Sequence, residues 1–204
     1  MKSFWYFTIL VVSVTTCCLP VSAGPSIIIS EVMFNPKNVS DTLGEWIELF
    51  NPLDTAVSLS GYSLGDLSGQ RFGFDQGTTL EAGETLIVAR SAIALQQLET
   101  TVLPWYFNFA LNNGGDVITL QDNNGDLLDT VAWGGKLPGW DLSALEGETL
   151  QRLHLIDGAA GWSAGQLPTP GSSSITGVVP EPGTLLLLGM GLGMLRLLRK
   201  KFRD

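Results

Sequence analysis

Residues 117–131, VITLQDNNGDLLDTV, have the pattern of a β-hairpin. Apolar and β-branched residues flank Asn124-Gly125, and both residues of this pair can take the positive φ angles that a two-residue type I′ turn requires. Counting outward from such a turn gives the pairs Asn123–Asp126, Thr119–Thr130 and Ile118–Val131. One apolar face results, which we expect to lie in the core: Ile118, Leu120, Val131 and Trp133.

A similar pattern, in which turn residues separate short strands, extends over the middle of the chain. Short runs of β-branched and aromatic residues alternate with Gly, Pro, Asn and Asp about every 8 to 12 residues. The predicted strands are 27–34, 46–50, 57–64, 71–74, 85–89, 117–121, 127–133 and 149–155. Short strands in this number indicate a sandwich or a small barrel. Residues 91–99 (SAIALQQLE) are rich in helix formers and predict a short helix or an ordered crossover.

The N-terminal residues have the pattern of a secretory signal peptide. A basic residue precedes the apolar run 4–14, and a small-x-small sequence predicts cleavage between Ala23 and Gly24. The alternative is an uncleaved anchor, but the run is about half of the roughly 20 residues that a spanning helix needs. Cys17 and Cys18 precede the predicted cut. The mature chain would then hold no disulfide and no cysteine metal site.

The C-terminal segment has three parts in a fixed order. The motif Val179-Pro180-Glu181-Pro182 is followed by an apolar run, 183–195, and then by basic residues at Arg196, Arg199, Lys200, Lys201 and Arg203. A helix over the apolar run would be about 20 Å long, which is less than the roughly 30 Å of a hydrocarbon core. The basic residues favour the cytoplasmic side, so we expect the preceding domain outside the cytoplasmic membrane.

The part of the chain between these two ends is strongly acidic. Residues 24–179 contain five Lys or Arg and eighteen Asp or Glu, a formal net charge of −13. Nucleic-acid binding depends mostly on Lys and Arg contacts to phosphate, so this composition argues against such a partner.

Residues 122–126 (DNNGD) resemble the start of an EF-hand calcium loop. The spacing then fails, because Leu127 stands where the loop needs Gly and Trp133 stands where it needs a bidentate Glu. A hairpin turn explains these residues without a metal. The sequence therefore predicts no cofactor, with calcium at this turn as the alternative.

No candidate catalytic site emerges from the other acidic residues and the histidine. Glu45 and Glu48 are three apart, so on a strand they face opposite sides, and we expect two separate surface or strand-end acids. His154 is the single histidine of the chain and is predicted to face solvent on a strand. G-x-S-x-G sequences occur at 61–65 (GYSLG) and 161–165 (GWSAG), but neither lies at a predicted strand-to-helix turn, so neither predicts the nucleophile elbow of a Ser-His-Asp triad.

The central part of the chain contains a series of short segments in a fixed order over residues 27–171: 29–36 (ISEVMFNP), 45–52 (EWIELFNP), 59–66 (LSGYSLGD), 80–88 (LEAGETLIV), 113–120 (NGGDVITL), 149–152 (TLQR) and 168–171 (PTPG). This series resembles the lamin tail domain, an immunoglobulin-like β-sandwich. Tyr62 stands where Trp is common in this family. The resemblance implies an all-β sandwich that serves as an accessory or adhesion module.

The three-part C-terminal segment resembles the PEP-CTERM sorting signal of exopolysaccharide-producing bacteria. That resemblance implies recognition by an exosortase, which is thought to cut near the Pro-Glu-Pro motif. The alternative is an ordinary C-terminal anchor that is never removed.

Together these features predict the organisation of the chain: a signal peptide (1–23), the sandwich (24–171), a flexible tether (172–178) and the sorting signal (179–204). We expect a non-enzymatic, exported surface or extracellular-matrix protein. Its expected partners are the secretion machinery, the exosortase, the membrane before processing and extracellular polysaccharide.

Three other functions are compatible with the sequence. One is a metal-dependent hydrolase that would use the abundant acids, and another is a nucleic-acid-binding accessory module. A carbohydrate-binding module would use exposed aromatic residues, for which the candidates are Trp105, Tyr106, Trp140 and Trp162. These aromatic residues could equally fill the core or the edges of the sandwich.

Overall fold

The computed structural model describes residues 27–97 and 105–175. Two α-helices occur in this part of the chain, α1 (Asp41–Gly44) and α2 (Ala92–Gln97), and Ala159–Gly161 form a 3-10 helix. The strands are β1 (Ile28–Met33), β2 (Trp46–Phe50), β3 (Val57–Ser58), β4 (Ser63–Gly65), β5 (Arg71–Gly73), β6 (Thr79–Leu80), β7 (Thr85–Ala89), β8 (Trp105–Tyr106), β9 (Val117–Gln121), β10 (Leu127–Ala132), β11 (Thr149–Arg152) and β12 (Trp162–Gln166).

Two sheets pack face to face and confirm the predicted immunoglobulin-like sandwich. The larger sheet has the strand order β12-β11-β1-β2-β7-β8, and the smaller has the order β10-β9-β4-β5. β3 and β6 form a separate two-stranded ribbon. Within the described residues all pairings are antiparallel except that of β7 with β8. The core lies between the two sheets, and α2 covers part of the opposite face of the larger sheet through Ala94.

The predicted hairpin forms, and its apolar face lies in the core. Thr119 pairs with Thr130 and Ile118 with Val131, as expected. The four residues assigned to the buried face are all 1% exposed or less: Ile118, Leu120, Val131 and Trp133.

The prediction for the turn of this hairpin was wrong. Asp122, rather than Asn123, bonds to Asp126, through the Asp122 N–H and the Asp126 carbonyl at 3.0 Å. Only Gly125 of the predicted pair has a positive φ, at 85°, so the loop has three residues. The cause is the Asp122 side chain, whose Oδ1 accepts the N–H groups of Asn124 (2.8 Å) and Asp126 (2.9 Å). A register shift between Leu127 and Asp129 then restores the predicted pairing.

Two predicted strands differ from the structure by more than one residue at an end. The segment 57–64 is divided into β3 and β4, because Gly61 takes a φ of 80° and the Tyr62 N–H returns to the Leu59 carbonyl. The segment 149–155 ends at Arg152, because the N–H groups of the next two residues both donate to the Gly161 carbonyl. His154 is therefore exposed, as expected, but it lies in a loop and not on a strand.

Two kinds of prediction about helices have different outcomes. The short helix expected within 91–99 is confirmed as α2. In the described ranges, 27–97 and 105–175, no helix has the length and apolar composition needed to cross a membrane. The predicted signal peptide and the predicted C-terminal helix lie outside those ranges.

Candidate functional site

The outer face of the larger sheet, which points away from the smaller sheet, carries two buried carboxyl groups. Glu31 on β1 lies directly opposite Glu48 on β2, and Gln151 on β11 lies on the other side of Glu31. The exposed fractions of Glu31 and Glu48 are 1% and 0%. Strand alternation places both side chains on this outer face, since Ile47 and Leu49 point into the core.

Residues 167–171, which we call the strap, cross this face after β12. The carboxylate of Glu31 accepts the Thr169 N–H at 3.0 Å and the Thr169 hydroxyl at 3.0 Å. Gln151 Nε2 donates to Glu31 at 3.0 Å and to the strap carbonyl of Leu167 at 2.7 Å. Thr149 Oγ1 donates to Glu31 as well, at 2.7 Å. The strap is thus fixed to the sheet by polar contacts that centre on Glu31.

Glu48 holds the end of the strap. Its Oε2 accepts the Gly171 N–H at 2.6 Å, while Ser30 Oγ lies 2.6 Å from Oε1. The pKa of Glu48 is raised to about 7. Burial is the main cause, the hydrogen bonds from Ser30 and Gly171 act against it, and the neighbouring charge of Glu31 adds to it. Burial also raises the pKa of Glu31. Two adjacent buried carboxylates repel each other, so these two groups do not ionise independently.

Glu45 occupies a separate buried site at the start of β2. Its Oε2 lies 2.8 Å from Arg90 and accepts the N–H of Leu111 at 3.2 Å. The side chain is 1% exposed, and burial raises the pKa of Glu45 to about 7 despite these two partners. The prediction of surface acids was therefore wrong for both Glu45 and Glu48. The alternative of a strand-end acid fits the position of Glu45, directly before β2, but not that of Glu48, which lies within the strand. The expectation that they do not form a pair holds, because each has its own partners.

The raised pKa of Glu45 predicts a pH-dependent stability. A carboxyl with a higher pKa in the folded state stabilises the fold at low pH, and this contribution is lost as pH rises from about 4.5 to about 7. We expect the Glu45→Gln variant, which keeps an acceptor for Leu111 and cannot ionise, to show a smaller fall in Tm between pH 5 and pH 7.5 than the wild type. Thermal unfolding by circular dichroism measures the difference. Parallel Tm curves would contradict the assignment.

The residues considered for calcium form a turn. Asp122 uses its carboxylate to accept backbone N–H groups of its own loop, and these bonds lower the pKa of Asp122. Within residues 27–97 and 105–175, no group of three or more His, Cys, Asp or Glu side chains is placed to hold a metal ion. The buried acids named above are enclosed by the fold, so they offer no open acid pair to a substrate.

The aromatic residues considered for carbohydrate binding are mostly packed inside. Trp140 and Trp162 are buried, and Trp162 stacks beneath the guanidinium of Arg152 at 5.0 Å. Trp105 is half-buried and packs edge-on against Phe72 and Phe74. Of the four candidates, Tyr106 is the exposed one, at 44%. They do not form a flat platform for a sugar ring.

The predicted processing residues lie outside the described part of the chain. These are Ala23 and Gly24 at the expected signal-peptide cut, the motif Val179-Pro180-Glu181-Pro182, and the basic residues Arg196, Arg199, Lys200, Lys201 and Arg203. The buried acids beneath the strap were not predicted as a site. A weak signal for them exists, since Glu near the centre of two mostly apolar strands is unusual.

Comparison with known families gives two matches. The family model described as Lamin Tail Domain matches residues 20–135. The model described as PEP-CTERM protein-sorting motif matches residues 178–201. The search of curated proteins gave no significant match. The first match covers more than half of the chain's 204 residues, and the second covers a PEP-CTERM sorting motif near the C-terminus. The chain therefore belongs to the lamin tail domain family and carries a PEP-CTERM sorting motif.

Proposed function

We propose that the protein is a non-enzymatic component of the cell surface or extracellular matrix that an exosortase processes next to Pro180-Glu181-Pro182. The PEP-CTERM match at residues 178–201 is the observation that carries this proposal. The motif implies export and exosortase sorting, and the folded part of the exported chain is an immunoglobulin-like domain. The basic residues after the apolar run support an orientation with this domain outside the membrane.

The non-enzymatic part of the proposal is supported by the use of the buried acids. Glu31, Glu45 and Glu48 each accept backbone N–H groups from other segments of the chain. Their role in the described residues is to hold loops and the strap in place. The domain would then serve as a displayed module, with extracellular polysaccharide as the partner that its location favours.

Processing can be tested by expressing the full chain in a host with and without its exosortase. We expect Glu181→Ala to reduce the yield of processed protein at least tenfold, because the variant removes the charged residue of the motif. Glu146→Ala, which changes an exposed acid of the domain, is the matched control and should be processed as the wild type is. The intact mass of the product reports both the N-terminal and the C-terminal cut.

One outcome would overturn the proposal. If the domain and its C-terminal segment stay covalently joined in both hosts, and both stay in the inner membrane, the protein is a permanently anchored one. Release from the cell surface in a strain that lacks extracellular polysaccharide would support the proposed partner, and unchanged retention would contradict it.

A further inference from the structure

The strap contacts Glu48 on the outer face of the larger sheet, where the Gly171 N–H lies 2.6 Å from Glu48 Oε2. β2 supplies the carboxyl and β1 supplies Ser30 and the facing Glu31. On the other side of β2, the residue opposite Glu48 is the apolar Ile87. Besides the contact with Ser30, the Glu48 carboxyl accepts a hydrogen bond from the N–H of Gly171. Lifting the strap would remove that hydrogen bond and open this side of the carboxyl to water.

We propose that the strap is a proton-linked latch, closed while Glu48 holds a proton and opened when Glu48 ionises beside Glu31. The closed state has a partner for the proton, because Ser30 Oγ is 2.6 Å from Glu48 Oε1 and can also donate to the Glu48 carbonyl at 3.3 Å. Glu48 Oε2 still accepts from Gly171 in that state. Glu31 is the member of the pair that is better suited to carry charge, since five hydrogen-bond contacts from four groups, Thr149, Gln151 and the N–H and hydroxyl of Thr169, reach it.

The direction of the pH effect follows from burial. The pKa of Glu48 is about 7 under the strap and would return toward its ordinary value of about 4.5 once water reaches it. Docking therefore takes up a proton, and the strap is held most tightly at low pH. Between these two pKa values each pH unit weakens docking by up to about tenfold. Above about pH 7, where Glu48 is ionised in both states, docking of the strap weakens no further.

Few other charges act on this site. Glu84 lines a cleft beside Gly171, and Lys37 lines another cleft beside Pro168. The strap itself carries no charged residue, and the facing residues of β11 are Thr149 and Gln151. Glu31 is thus the charge that most directly opposes ionisation of Glu48.

The latch would set the reach of the sorting segment. From Gly171 to Pro180 the chain can span at most about 30 Å, at roughly 3.4 Å per residue. Counted from Gln166, where β12 ends, the limit becomes about 50 Å. Opening the strap would give the segment that carries the Pro-Glu-Pro motif about 17 Å of additional reach.

Hydrogen exchange of the full-length protein in detergent micelles tests the latch directly. We expect protection of the peptide that covers residues 167–172, corrected for the intrinsic exchange rate at each pH, to fall at least tenfold from pH 5 to pH 7.5. Glu48→Gln keeps an acceptor for Gly171 and a donor for Ser30, so its strap should stay protected over the whole range. Glu84→Gln, at an exposed neighbouring acid, is the matched control and should behave as the wild type does.

Glu31→Gln gives a second, independent measurement. It removes the charge that opposes ionisation of Glu48, so the pH dependence of strap protection should become smaller. Identical pH profiles in the wild type and Glu48→Gln would overturn the latch. So would a loss of protection that spreads equally through β1 and β11, because opening would then be global. Neither readout involves an exosortase, so the latch and the proposed processing fail independently.

Discussion

Asp129→Ala is expected to lower the free energy of unfolding by about 3–5 kcal/mol, the usual cost of leaving one partner of a buried ion pair alone. Asp129 lies on β10 of the smaller sheet, and Arg152 lies on β11 of the larger sheet. Their side chains are 8% and 2% exposed. The variant would leave the Arg152 guanidinium buried without its counter-charge.

The same pair also supplies hydrogen-bond partners to backbone groups of β1 that have none on β11. The ladder between β1 and β11 covers Glu31 and Val32, so Ile29 has no strand partner on this side. Asp129 Oδ2 accepts the Ile29 N–H at 2.7 Å, and Arg152 Nε donates to the Ile29 carbonyl at 3.1 Å. The ion pair therefore takes the place of a missing strand contact and joins the two sheets.

Urea unfolding of the full-length protein in detergent, followed by tryptophan fluorescence, measures this loss. Asp126→Ala is the matched control, because Asp126 is an exposed acid of the same hairpin and its removal should change stability by less than about 0.5 kcal/mol. Asp129→Asn keeps an acceptor for Ile29 and should fall between the two. A loss below about 1 kcal/mol for Asp129→Ala would mean that Arg152 finds another partner.

Local pattern was sufficient to predict much of the sandwich. The alternation of Ile118, Leu120 and Val131 identified the buried face of the hairpin, because a period of two fixes which side chains share a face. The strand β12, by contrast, was not predicted. Its sequence WSAGQ has small and polar residues where strands favour β-branched ones, and its pairing with β11 supplies what propensity does not.

The buried acids show a different limit of sequence reasoning. The prediction that Glu48 and Glu45 do not form a pair was correct, but Glu48 was expected to face solvent. The strap that covers it comes more than 100 residues later in the chain, at Gly171, so no local window holds both partners. Glu31 depends in the same way on Thr169. Whether a polar residue on a sheet face is buried thus depends on the segment that crosses that face, here the strap. The periodicity of the strand alone cannot predict this.

Two backbone segments are in close contact next to Trp133, and this contact explains the glycines at positions 115 and 134. A Cβ on Gly134 would lie 2.4 Å from the Gly114 carbonyl oxygen and 2.6 Å from Gly115 Cα, and both are backbone atoms. This contact places Trp133 Nε1 2.8 Å from the Asn112 carbonyl. It also brings the Trp133 ring to a stacked position 4.8 Å from that of Phe34.

Gly134→Ala is therefore expected to destabilise the fold by about 2–5 kcal/mol, through overpacking and through the positive φ of 62° at this position. Gly69→Ala is the matched control. Gly69 has a φ of 88°, but a Cβ there would meet no atom within 4 Å, so its cost should be that of the φ angle alone, about 1–2 kcal/mol. Urea unfolding gives both values, and near-UV circular dichroism reports the packing of Trp133. Equal losses in the two variants would show that the segments can separate without cost, in which case backbone contact is not the reason for glycine at this position.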